Sequence, residues 1–133
     1  MEKGGRSEHV LGMYKDKRCW LLRLKNVGIL DREMRDKPKV YRSLDVAILN
    51  AIILKKILGL DLENKEAVKF GPDAFEFIRE VDTDPLCIAF FLNPVKIQDI
   101  ISVSLNGERM PAKSTYFYPK VLSGLVINKI EQE

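Results

Sequence analysis

The stretch GERMPAKSTYFYPK, residues 107 to 120, gathers two lysines, two aliphatic hydroxyls, two tyrosines and two prolines in fourteen positions. These residue types suit the holding of an anion. A lysine supplies a compact positive charge, hydroxyls supply short donors, and exposed backbone amides add more. Lys113, Ser114, Thr115 and Lys120 are therefore the candidate phosphate-binding residues, and Arg109 could add a bidentate clamp on carboxylate or phosphate. Glu108 could pair with Arg109 or accept a substrate proton. On an extended strand Lys113, Thr115 and Phe117 project to one side, and Ser114, Tyr116 and Tyr118 to the other. The same composition has a second reading. Thr, Tyr and Phe favour strands, and prolines and lysines blunt an exposed sheet edge. Tyr116, Phe117 and Tyr118 are also types that anchor an interface. Which residue would be catalytic is unknown from the sequence, since none earns a general-base role.

The elements that must carry this stretch follow from periodicity. HVLGMY and RCWLLRLK flank KDK and read as a β-hairpin, with Trp20, Leu22 and Leu24 on one face and Cys19, Leu21 and Arg23 on the other. The charged run DREMRDKPKVYR, residues 31 to 42, reads as a solvated loop, because Pro38 disfavours a helix before it. Ser43 caps a helix over LDVAILNAIILKKIL, with Asp45 at its positive end, Lys55 and Lys56 at its negative end, and Gly59 as its left-handed stop. That helix is apolar nearly all round and requires cover on more than one side, with Asn50 inside it read as a hydrogen-bonded buried amide in preference to a ligand contact. EAVKF reads as a short strand. Asp73 caps DAFEFIREV, whose Ala74, Ile78 and Val81 share a face beside Phe75. LCIAFFL, residues 86 to 92, reads as a strand covered on both faces. Asn93 and Pro94 open a third helix bearing Ile97, Ile100, Ile101 and Leu105, closed by Asn106 and Gly107. STYFY and GLVINKI complete an order β-β-α-β-α-β-α-β-β. The expected fold is α+β, with a mixed, largely antiparallel sheet and about three helices.

Composition bounds the function. The 133 residues suit a single domain over residues 8 to 133 behind a flexible lead-in, 1 to 7, with a real core. The net charge of +3, from 22 basic and 19 acidic residues, is mild and mixed, so a nucleic-acid partner is not expected. Cys19 and Cys87 read as reduced, buried thiols of a cytoplasmic protein. With His9 as the sole histidine they make no recognisable metal site, and no carboxylate cluster has ligand spacing. VAILNAIIL is too short to span a bilayer, and MEKGGRSEH is no signal peptide. No glycine-rich turn has the P-loop or dinucleotide pattern.

Three blocks in order, SLDVAILNAIILKKILGL, FFLNP and above all GERMPAKSTYFYPKVLSGLVIN, resemble the C-terminal end of the bacterial domain-of-unknown-function family 1015. The likeness runs from the GMY strand to residue 130; the specific part is the Met-Pro-x-Lys-Ser-Thr-x-Phe-x-Pro-Lys run. A histidine is expected of the family where this chain has Asn50. The resemblance implies a C-terminal portion of a larger protein, whose N-terminal region is similar to the ParB–sulfiredoxin group and would be this chain's partner. That group includes nucleotide-dependent phosphotransferases, among them free-serine kinases. A Gly-His-His-Arg type segment, diagnostic of that region, does not occur here. The expectation is a domain that supports a phosphate site, with a nucleotide bound by the parent protein, and that is not catalytic alone. The alternative is a structural or homodimerisation module.

Overall fold

The computed structural model describes residues 9–60, 62 and 67–115. Lys120 and Tyr116, Phe117 and Tyr118 lie outside the described residues, as do the lead-in and the GLVINKI segment.

The hairpin forms. Strand β1, Val10–Lys15, pairs antiparallel with β2, Arg18–Arg23, in the register Lys15 to Arg18 and Val10 to Arg23. Asp16 and Lys17, at φ of 49° and 57°, make a two-residue turn whose double left-handed backbone matches the twist of the strands. A third strand, β3, Ala89–Phe91, joins the other side of β1, so the order is β2-β1-β3 with every pairing antiparallel. Gly12 allows this approach: a Cβ there would lie 3.2 Å from the Cβ of Phe91.

The described residues also form five α-helices: α1 Gly28–Glu33, α2 Lys39–Arg42, α3 Asp45–Ile48, α4 Ala74–Thr83 and α5 Ile97–Leu105. Helix α3 runs on without a break as a π-helix over Leu49–Ile57. One face of the sheet, at Leu11, Leu22 and Phe90, packs on Leu49 and Leu54 of the π segment. The other face, at Tyr14, Ala89 and Phe91, packs on Phe77, Ile78 and Val81 of α4. Behind α3, the main core joins Val46, Ala47, Ile48 and Ile52 to Leu30, Met34 and Leu44, and to Val103 of α5, which is fully buried. The all-round apolar pattern of residues 44 to 54 is thus accounted for: sheet on one side, helices on the other.

The chain is α+β, with strands and helices in roughly the order the sequence implied, and several local expectations change. The charged run 31 to 42 holds the end of α1 and all of α2, because Leu30, Met34, Val40 and Tyr41 reach the main core while the charges stay outside. Leu44, not Ser43, occupies the N-cap of α3; the Ser43 hydroxyl donates to the Val40 carbonyl. Residues 67 to 70 of EAVKF are not a strand. Cys19 and Cys87 are exposed rather than buried: Cys19 lies on the β2 edge, and Cys87 precedes β3 in a loop where its thiol bonds Asp84. Helix α5 begins at Ile97, where the Asp99 carboxylate accepts the Lys96 backbone amide, instead of at Pro94. It buries Val103 and leaves Ile97, Ile101 and Leu105 exposed. On α4, Val81 is buried but Ala74 and Phe75 are exposed.

Other signals read correctly. Asp73 accepts the amides of Phe75 and Glu76 at the start of α4. Gly59 sits at φ 66° after the π segment, where the Leu60 amide reaches back to the Leu54 carbonyl, a wider closure suited to i→i+5 winding. Gly107, at φ 71°, closes α5 with the Gly107 amide on Ser104 and the Glu108 amide on Val103. That is the paired bonding of a Schellman stop.

Candidate functional site

The glycine stop at Gly107 turns the chain off α5 and into the candidate stretch. Glu108 folds back at once. Its carboxylate takes the Lys37 ammonium at 3.1 and 3.3 Å, and that ammonium also stands 5.3 Å from the centre of the Tyr41 ring. The bond to Glu108 holds the Lys37 ammonium above the usual lysine range, and burial raises Tyr41. Glu108 is therefore engaged with Lys37 and not with Arg109, which stays exposed. Met110 packs against the main core and Pro111 is buried, so the stretch is anchored from below.

Residues 111 to 114 then form a tight turn just ahead of the expected STYFY strand, of which only Ser114 and Thr115 are among the described residues. The Pro111 carbonyl accepts both the Ser114 amide, at 3.3 Å, and the Ser114 hydroxyl, at 2.6 Å. Lys113 occupies the third position of this turn with φ 59°, where glycine or asparagine is the usual residue. The buried proline sets the entry and Ser114 locks the exit, and Lys113 is left exposed at the tip. Arg109, Lys113 and Thr115 are exposed and Ser114 is half-buried. The strict alternation of side chains expected from an extended strand does not apply across Lys113.

A second constellation was not anticipated. His9, 8% exposed, places Nδ1 3.0 Å from Oδ1 of Asp45. The other oxygen of Asp45 accepts from the Asn93 amide at 2.9 Å, and that amide also reaches the Val10 carbonyl at 3.2 Å. A carboxylate only accepts, so Nδ1 is the donor in this bond. One carboxylate in the first turn of α3 thereby ties the start of β1 to the loop after β3. The available signal was modest: the only histidine of the chain, and an acid at the head of an apolar helix. The sequence places Asn93 as the cap of the third helix; its amide instead donates to the distant Asp45 carboxylate.

Asn50 lies in the π segment, and its Oδ1 is buried without a partner instead of being satisfied as expected. On the far side of the sheet Tyr14 donates to Asp82 at 2.8 Å, which raises the phenol above its ordinary value. The Cys87 thiol is likewise raised by its bond to Asp84, so it is a poorer nucleophile than a free cysteine. A wide, shallow groove along α4 is lined by Asp73, Glu76, Glu80 and Asp84 with Arg79 and Thr83. Among the described residues no group of three or more His, Cys, Asp or Glu could hold a metal, and no helix is long and apolar enough to cross a membrane.

No family model matches this chain, nor does any curated protein or solved structure.

Proposed function

We propose that the turn at Pro111–Ser114 is a phosphate-binding element, contributed by this domain to a phosphoryl-transfer site of a larger, kinase-like protein of the ParB–sulfiredoxin group. The observation that carries the reading is the left-handed backbone of Lys113. A non-glycine residue held in that region is strained by about 1–2 kcal/mol, and such strain gathers at sites where a side chain must be aimed. Among the described residues the two other positive-φ residues outside glycine, Asp16 and Lys17, are accounted for by the hairpin turn. Lys113 instead stands in a turn closed by the Ser114 hydroxyl on the Pro111 carbonyl, after a Met110 that packs against the core and a Pro111 that is buried. The roles divide accordingly. Lys113 supplies charge to the anion, Arg109 and Thr115 supply flanking donors, and Ser114 holds the turn. Phosphoryl transfer depends on positioning and charge neutralisation, which residues of these types provide without a base among them. A free serine is the acceptor suggested by the family likeness. Calorimetry with inorganic phosphate, phosphoserine and ATP, on the chain and on Lys113→Ala, tests the reading. Phosphate-bearing ligands should bind and lose affinity in the variant; equal affinity for both proteins would refute it.

A second reading has its own observation. Met110 and Pro111 in the core and Glu108 on Lys37 make the first half of the stretch a fastener between α5 and the turn preceding α2. If that were its whole role, Arg109→Ala and Lys113→Ala would leave every ligand measurement unchanged while Met110→Ala destabilised the fold.

A further inference from the structure

We infer that the outer edge of β2 is a docking edge for an extended acidic peptide, which adds to the sheet as a fourth strand. Among the described residues β2 pairs with β1 alone, so its other side is the end of the described sheet. The ladder fixes which backbone groups point outward. The Leu24 amide donates to the His9 carbonyl, and the two-residue turn closes on Lys15 and Arg18. Hydrogen-bonded pairs alternate along an antiparallel ladder. Arg18, Trp20, Leu22 and Leu24 therefore direct their N–H and C=O groups to β1, and Cys19, Leu21 and Arg23 direct theirs away from it. The outward groups form a row that an incoming strand can meet.

The side chains at this edge are also uncovered. Helix α4 covers β1 and β3 at Tyr14, Ala89 and Phe91, and stops short of β2. Leu21, opposite Gly12 on that face, has no β1 side chain beside it and is 82% exposed. Trp20, on the opposite face, is 37% exposed. A strand laid against β2 would bring side chains beside both, in the manner of cross-strand pairs.

Charge selects the occupant. Residues 17 to 25 read KRCWLLRLK and contain no acid. Lys17 and Arg18 at one end and Lys25 at the other are exposed, and no described acid pairs with them. A second copy of β2 laid antiparallel would bring Arg18 toward Lys25 of its partner, like charge to like. An extended segment with glutamate or aspartate at its ends and alternating apolar residues meets cations at both ends and apolar side chains between.

The test uses two labelled heptapeptides, one alternating glutamate and valine and one alternating lysine and valine, titrated with the full chain by fluorescence anisotropy. The acidic peptide should bind, more weakly as salt rises, and the basic one should not. Leu21→Pro removes an outward N–H and leaves the β1 ladder intact, since proline is tolerated where the N–H faces away from the sheet. It should weaken the acidic peptide by about tenfold or more. Should that variant fail to fold, the double variant Lys17→Glu, Arg18→Glu serves, and it should shift preference toward the basic peptide. Equal binding of both peptides, no binding of either, or unchanged affinity in these variants overturns the inference. So does sedimentation showing a dimer that Leu21→Pro dissociates, because the edge would then belong to a second copy.

Discussion

Replacing Lys113 by glycine and by alanine separates the strain of the turn from its charge. Lys113 lies at φ 59°, where an L side chain costs about 1–2 kcal/mol relative to glycine. Glycine returns about 0.5–1 kcal/mol of that through the greater entropy of its unfolded chain. Lys113→Gly should therefore stabilise the domain by about 0.5–1 kcal/mol, a rise in Tm of roughly 2–5 °C for a chain of this size. Lys113→Ala keeps the Cβ and the strain, and an exposed site of this kind should change stability by less than about 0.5 kcal/mol. Both variants lose the ammonium, so both should lose phosphate affinity to a similar degree. Urea denaturation with the slope held in common measures the first quantity, and calorimetry with inorganic phosphate the second. A glycine variant no more stable than the alanine variant would refute the strain argument. A stabilised glycine variant that kept full phosphate affinity would show that the strain does not serve the anion.

The remaining expectations concern the framework around that turn. His9→Ala deprives the Asp45 carboxylate of a buried donor and should cost about 1.5–3 kcal/mol by urea denaturation, and Asn93→Asp should cost more than Asn93→Ala because it sets a second carboxylate beside Asp45. Gly12→Ala places a Cβ 3.2 Å from that of Phe91 and should destabilise by about 1–3 kcal/mol, with β3 amides losing exchange protection first. Tyr14 has its pKa raised by the bond to Asp82, so the stability it contributes is full below the ordinary value of 10.0 and is lost as pH rises through the higher folded value. Tyr14→Phe should accordingly flatten the alkaline limb of a stability–pH profile, and an unchanged limb would count against the bond.

Where a structural decision is local, the sequence carries it. The hairpin, the Asp73 cap and the Gly59 and Gly107 stops each depend on a few neighbouring residues, and each forms. Where a distant partner decides, local grammar misleads. Asn93 before Pro94 has the signature of a helix cap, but the Asp45 carboxylate 48 residues away offers its amide a charge-assisted bond. The charged run from 31 to 42 looks solvated by count, yet Leu30, Met34, Val40 and Tyr41 are spaced to reach one core across the proline. Periodicity singled out Ile97, Ile100, Ile101 and Leu105 on α5, yet Val103 is the residue inside, and Ile97, Ile101 and Leu105 are exposed. The cysteines went the same way, since apolar neighbours imply burial only if another layer covers that part of the strand.

The candidate site divides along this line. Its residue types were readable, because cations and hydroxyls announce their chemistry wherever they stand. Its shape was not, because Ser, Thr and Tyr beside a lysine favour an extended strand by intrinsic preference. Tertiary anchoring sets a turn at Lys113, immediately before that run. Glu108 is drawn back to Lys37, Met110 packs against the core and Pro111 is buried, and the chain turns between Pro111 and Ser114. Removing the anchor should therefore restore the strand-like preference even with every candidate ligand residue intact. Met110→Ser, which exposes no new charge and leaves Lys113 in place, should relax its φ toward negative values, a change that the three-bond HN–Hα coupling of Lys113 reports. A coupling unchanged in a folded Met110→Ser variant would mean that Ser114 alone holds the turn, and that the core has no part in aiming the lysine.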